Sequence, residues 1–206
     1  MPELVPVTHE IHAKPALFAE FQQIRRVEGF ENIRSEYPGY LSDESKLASR
    51  SADLLFFPKN EAELSTLIRE MARQKVPMTF AGARTGLVGG SVPARGAVVS
   101  LECFDQVTSI GYDEPYAEWR VVAQASVSLK ALGSMLNARH VPSLERTAEP
   151  DQKAQYERFK ADKVAYFYPP DPTETSATLG GSVVTNASGA RTYRYGPTRN
   201  WVRSLR

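Results

Sequence analysis

The stretch Phe80-Ala-Gly-Ala-Arg-Thr-Gly-Leu-Val-Gly-Gly-Ser91 decides how the rest of the chain is read. Its glycines stand at 82, 86, 89 and 90, and its one charge is Arg84. Glycine opens backbone angles closed to other residues and lets a ligand approach the main chain. Successive free N–H groups in such a turn form a concavity that favours anions, a phosphate or pyrophosphate above all. On these residues alone, an anion-binding turn and an ordinary flexible surface turn both remain open. The turn is not a Walker A site, because no Gly-Lys-Ser/Thr closes it and no lysine falls between residues 76 and 129. Nor do Gly82, Gly86 and Gly89 have the G-x-G-x-x-G spacing of the dinucleotide fingerprint.

Working outward, Val76-Pro-Met-Thr-Phe-Ala81 predicts a short strand running into the turn. Ala52-Asp-Leu-Leu-Phe-Phe-Pro58 predicts an earlier one, closed by proline. Between them, Asn60 with Glu63 three residues on has the pattern of a capping box. The helix it starts should run to about Gln74 and bury Leu64, Leu67, Ile68 and Met71. The glycine turn thus follows a β-α-β unit. Further upstream, Leu17, Phe18, Phe21, Ile24 and Val27 recur at helical spacing, which predicts an amphipathic helix over 15–28 ended by Gly29. Residues 31–52 read as polar and turn-rich.

Downstream, Gly96–Leu101, Val107–Ile110 and Glu118–Ala125 predict strands, with a turn over Gly111–Pro115. Ser128 caps a predicted helix reaching about His140. The charged stretch 145–163 reads as a solvated excursion with a short helix near Asp151–Lys163, and Val164–Tyr168 as a strand. A second unusual stretch follows, Pro169-Pro-Asp-Pro-Thr-Glu-Thr-Ser-Ala-Thr-Leu-Gly-Gly181, then the small residues Ser182-Val-Val-Thr-Asn-Ala-Ser-Gly189. Small residues on a short helix permit close approach of something flat or bulky. The alternation of strands and helices indicates α/β or α+β.

The totals exclude several classes. A net charge of +1 without a basic run argues against nucleic acid as a partner. Cys103 is the one cysteine, which rules out an intrachain disulfide and fits a reduced, cytoplasmic setting; it reads as a buried structural residue. His9, His12 and His140 are scattered, so no metal constellation and no Ser-His-Asp arrangement is supported. No secretory signal and no membrane-spanning apolar run is visible.

Taken together, the two glycine stretches resemble the FAD-linked oxidases of the vanillyl-alcohol oxidase and para-cresol methylhydroxylase superfamily. The similarity is greatest to the branch with D-lactate dehydrogenases and the glycolate oxidase flavin subunit. The family's first signature, Gly-x-Gly-Thr-Gly-Leu-x-Gly-Gly, stands here as Gly82-Ala-Arg-Thr-Gly-Leu-Val-Gly-Gly90. The second stands as Pro169-Pro-Asp-Pro172, Gly180-Gly181 and Thr185-Asn-Ala-Ser-Gly189, followed by Tyr195-Gly-Pro-Thr-Arg199. The segment from Tyr40 to Pro58 also fits.

The resemblance covers residues 37–206, after a helical lead-in over 1–36. It implies an α+β, two-subdomain FAD-binding domain of the para-cresol methylhydroxylase type, truncated at its C-terminus and without a substrate domain. It also implies that Ala81, Gly82, Ala83, Arg84, Thr85 and Gly86 wrap the pyrophosphate and that Gly89 and Gly90 belong to the cofactor site. Pro172, Thr173, Thr178, Gly180 and Gly181 would lie near the flavin ring and ribityl chain. Asn186, Ser188, Gly189 and Tyr195 would complete the site. Arg84 replaces a common glycine, and its side chain is expected to point to solvent. No histidine stands in the first turn to tether the cofactor, so FAD is expected to be non-covalent.

The implied reaction is hydride transfer from a small-molecule 2-hydroxy acid, such as D-lactate or glycolate, to flavin N5, with the electrons passing on to an acceptor. No catalytic residue is expected in this chain, and a partner subunit or the missing C-terminal domain would supply them. Peripheral membrane attachment, seen in parts of the family, would depend on regions outside this chain. The alternative is a non-catalytic FAD-binding module that needs a partner chain.

Overall fold

A computed structural model describes residues 23–49, 51–146 and 149–206. Its first element is strand β1, Arg25–Glu28, where the spacing predicts the end of a helix; residues 15–22 of that helix lie outside the described residues. β1 pairs antiparallel with β2, Leu54–Phe57, from Arg25 opposite Phe57 to Glu28 opposite Leu54. The unpaired edge of a fully buried strand offers backbone partners, and here that outweighs a helical spacing of side chains. Gly29, at φ 87, then begins a helix rather than ending one. Helix α1, Phe30–Glu36, occupies part of the segment read as turns and buries Ile33 completely.

The predicted β-α-β unit is present as β2, α2 (Glu61–Arg73) and β3 (Met78–Ala81), with β4 at Ala97–Ser100. Sheet order is β1-β2-β4-β3, and β2, β4 and β3 run parallel. At the start of α2, Asn60 Oδ1 accepts the Glu63 amide at 2.9 Å. Glu63 Oε2 in turn accepts the Lys59 amide at 2.8 Å, one residue earlier than in the usual box. Side chains alternate across a strand, and both faces of β2 and β4 are used. Leu54, Phe56, Ala97 and Val99 pack with Leu67 and Met71 of α2. Leu55, Phe57 and Val98 pack on the other face with Ile33, Tyr40 and Leu41.

A second lobe is built on an antiparallel pair, β5 (Val107–Asp113) and β6 (Glu118–Ala123). β5 runs on through Gly111, so the reversal falls at Glu114–Tyr116, later than predicted. Helix α3, Leu129–Ala138, is capped by Ser128, whose Oγ accepts the Ala131 amide at 3.1 Å.

Helix α4, Pro150–Ala161, stands where a short helix is predicted, but it is packed and not a solvated excursion. Tyr156 and Phe159 are buried in one core with Val107, Ile110, Leu132 and Leu136. The Tyr156 hydroxyl accepts the Val141 amide at 2.9 Å and donates to Glu145 at 2.8 Å. Two aromatics one helical turn apart are enough to anchor a helix whose other positions are charged. Val164–Tyr168, read as a strand, has no ladder partner and is irregular, with Phe167 half exposed. Cys103 is exposed, not buried. The chain continues through α5 (Leu179–Val184), α6 (Thr192–Tyr195) and a 3-10 turn at Thr198–Trp201.

Candidate cofactor site

The glycine turn leaves the C-terminal end of β3, where buried Ala81 is followed by half-exposed residues 82–86. Among the described residues, the amides of Gly82, Ala83, Arg84, Thr85 and Gly86 donate no hydrogen bond to the protein. Five consecutive amides at this strand end therefore have no protein acceptor, as an anion-binding turn would require.

The turn is braced from below by residues 40–47. The Glu44 amide bonds the Arg84 carbonyl at 3.3 Å. Arg84 lies at φ 59, a left-handed conformation that accounts for glycine being common there. Its guanidinium does not point to solvent. It sits over the Tyr40 ring, 4.3 Å from the centroid, and donates to the Gly82 carbonyl at 3.0 Å. Tyr40 is 7% exposed; its hydroxyl lies 2.8 Å from both Ser100 Oγ and Glu102 Oε2.

Asp43, 8% exposed, holds the far half of the turn. Its Oδ1 accepts the Ser45 amide at 3.0 Å and also the Ser45 hydroxyl. The Gly89 and Ser91 amides face the same carboxylate, though Oδ2 makes no hydrogen bond of full geometry among the described residues. Burial pushes the Asp43 pKa up, but these donors outweigh it and hold it below the ordinary aspartate value. Gly89, at φ 75, leaves room for Leu47, whose Cδ1 would stand 2.8 Å from an added Cβ. Gly90 has open space around it.

The two glycine stretches meet at Thr178. A Cβ on Gly82 would stand 2.9 Å from Thr178 Oγ1. That same oxygen caps α5, accepting the Gly181 amide at 3.2 Å. Gly181 itself is exposed, and a Cβ there would meet Thr178 Oγ1 at 3.1 Å and nothing else. Gly180 is different: its added Cβ would meet the Ala125 backbone oxygen at 2.9 Å, and its amide donates to that oxygen at 2.8 Å.

Gly189 packs on the Asp171–Pro172 backbone, where an added Cβ would overlap the Asp171 carbonyl. Asn186, at φ 49, accepts the Arg199 amide at 3.0 Å through Oδ1. Pro172 is buried, while Thr173 and Ser188 are exposed. Tyr195 joins an aromatic edge with Phe167 and Trp201, at 5.6 and 6.4 Å between centroids.

The structure therefore brings Gly82, Thr178 and Gly181 together. It gives Gly180, Gly189 and Asn186 structural partners of their own. Tyr40, Asp43 and Ala125 were not singled out from sequence. They lie in polar or strand-like stretches, and the tight glycine-to-glycine signatures gave no sign of what lay beneath them.

The amides of 82–86, without a protein acceptor among the described residues, are the donors this turn offers to a ligand. The fold is that of FAD-binding domains of the para-cresol methylhydroxylase type. Residues 52–145 match the FAD binding domain family. A D-lactate dehydrogenase from Anaerostipes hadrus is 30% identical over 93% of this chain and 34% of its own length. Another, from Archaeoglobus fulgidus, is 32% identical over 81% of this chain and 32% of its own.

Among solved structures, 6-hydroxy-D-nicotine oxidase from Arthrobacter nicotinovorans superposes with a TM-score of 0.57 at 12% identity, covering 86% of this chain and 32% of that one; it shows the fold. Over most of its length the chain is thus similar to D-lactate dehydrogenases, and part of it matches the FAD binding domain family. It spans about a third of the length of the curated relatives it matches. Among the described residues, no helix is long and apolar enough to cross a membrane.

Proposed function

We propose that this chain is the FAD-binding portion of a flavin-dependent oxidoreductase that oxidises a 2-hydroxy acid of the D-lactate or glycolate type. The observation that carries the reading is the run of five free amides at 82–86, set against Thr178 of the second signature. When bound, FAD supplies the redox chemistry by accepting a hydride from the α-carbon of the acid. The chain's own residues then do four things. The amides of Gly82 to Gly86 hold the pyrophosphate. Gly181 and Thr178 leave room for the ribityl chain beside α5. Asp43 fixes the far half of the turn, and Asn186 and Ser188 close the site. With no histidine in the first turn, FAD is held non-covalently. Binding of the substrate carboxylate and removal of its hydroxyl proton are assigned to a separate substrate domain.

The test is the visible absorbance of the purified chain, with FAD titrated into stripped protein. Near-stoichiometric flavin, fully released on denaturation, is expected; no FAD binding would overturn the reading. Bleaching of bound flavin by D-lactate or glycolate, once a partner chain or domain completes the site, identifies an enzyme part. FAD retained but never reduced by any 2-hydroxy acid points instead to a binding module.

A further inference from the structure

Arg84 stands where a glycine would relieve the backbone, yet its side chain is neither loose nor aimed at the free amides. It makes two contacts at once. Its guanidinium donates to the Gly82 carbonyl at 3.0 Å and covers the Tyr40 ring at 4.3 Å. Tyr40 is in turn fixed by Ser100 Oγ and Glu102 Oε2, each at 2.8 Å, and Ser100 is the last residue of β4. The Arg84 carbonyl accepts the Glu44 amide at 3.3 Å, so backbone and side chain are both tied to the segment below. In a trans peptide the carbonyl of one residue and the N–H of the next point opposite ways, so holding the Gly82 and Arg84 carbonyls turns the Ala83 and Thr85 amides to the other side. The amides left free are those of residues 82–86.

We propose that Arg84 is a positioning residue. Clamped between Tyr40 and the Gly82 carbonyl, it holds the turn in its anion-receiving shape before any cofactor arrives. The cofactor then loses less freedom of the loop on binding, which raises affinity without a direct contact. The inference rests on the FAD reading for its ligand, but the clamp itself is a property of the free chain.

The experiment compares Arg84→Met with Arg84→Lys. Both keep an unbranched stem at the same left-handed position. Lysine alone retains a charge that can sit over Tyr40 and a donor for the Gly82 carbonyl. Two quantities are read: the FAD dissociation constant, and the backbone 15N order parameters of residues 82–86 without FAD. Arg84→Met should bind FAD about tenfold more weakly, as loss of a cation–π contact and a charge-assisted hydrogen bond would give. Its turn should lose order while the thermal midpoint of the rest of the protein stays put. Arg84→Lys should recover part of both.

Equal FAD affinity and equal loop order in Arg84→Met and the parent overturn the inference and leave the FAD reading intact. If no variant and no parent binds FAD, that reading fails, and the order parameters alone decide: an equally ordered turn in Arg84→Met overturns the clamp.

Discussion

Gly189 and Gly86 both belong to glycine signatures, but they answer to different demands. Any side chain at 189 runs into the Asp171 carbonyl, whereas a Cβ at 86 has its nearest neighbour 4.0 Å away at Asp43 Oδ2. Gly189→Ala should therefore cost about 1–3 kcal/mol of stability, the usual range for overpacking, as measured by urea unfolding. Gly86→Val should leave the urea midpoint of the free chain nearly unchanged and abolish FAD retention; normal flavin content would refute the placement of the pyrophosphate.

Asp43 adds a pH dependence. Its folded pKa is depressed, so its contribution is fully present above the unfolded aspartate value of about 3.9 and disappears as pH falls through the lower folded value. Asp43→Asn should be less stable than the parent at neutral pH, with the gap closing below about pH 4. A gap that stays constant down to low pH would remove Asp43 as an anchor. None of this was legible in the signatures, because a glycine needed for packing and one needed for a ligand are spelled alike. The ligand-facing and packing-facing positions separate only when the neighbouring backbone, such as Asp171 or Ala125, is known.

Among the elements, α5 carries the junction between the two signatures through one oxygen. Thr178→Ala removes its cap and should cost about 1 kcal/mol, while Thr178→Ser should retain most of it. Because Thr178 Oγ1 also borders Gly82, the alanine variant should weaken FAD binding as well; unchanged affinity would show that the contact with Gly82 is incidental.

The local chemistry of α2 was readable because Asn60 and Glu63 report on their own neighbourhood. β1 was not, since its pairing depends on β2, which is distant in sequence. The helix of α4 was legible but its burial was not, for a related reason. Its charges dominate any average, and only the position of β5 shows that Tyr156 and Phe159 are covered. Val164–Tyr168 has a strand's composition but finds no neighbouring edge.

At the scale of the whole molecule, the hydrophobic clusters fall into two lobes. One is the four-stranded sheet with α1 and α2, the other the β5–β6 pair with α3 and α4. Phe159→Ala, at a position with no exposure, should cost about 3–5 kcal/mol and act first on the second core. Followed by tryptophan fluorescence, Trp119 reports that core, since its ring lies 5.2 Å from Phe159. Added FAD, bound by the folded form alone, should raise the unfolding midpoint of parent and variant alike. A midpoint indifferent to FAD in the parent would argue against a cradle shared by both lobes. The β-α-β unit and the two signatures were legible at this scale, and with them the class of fold. The way the lobes touch, through Gly82 and Thr178, was not.

Five amides in a row without a protein acceptor also have a consequence at the bench. If the turn receives a pyrophosphate as proposed, it also takes up whatever anion the buffer supplies, by simple mass action. Phosphate, sulfate or pyrophosphate in a preparation would compete with the cofactor, so an apparent affinity belongs to a buffer as much as to a protein. A chain purified in phosphate and judged colourless could become yellow on dialysis into an uncharged buffer with added FAD.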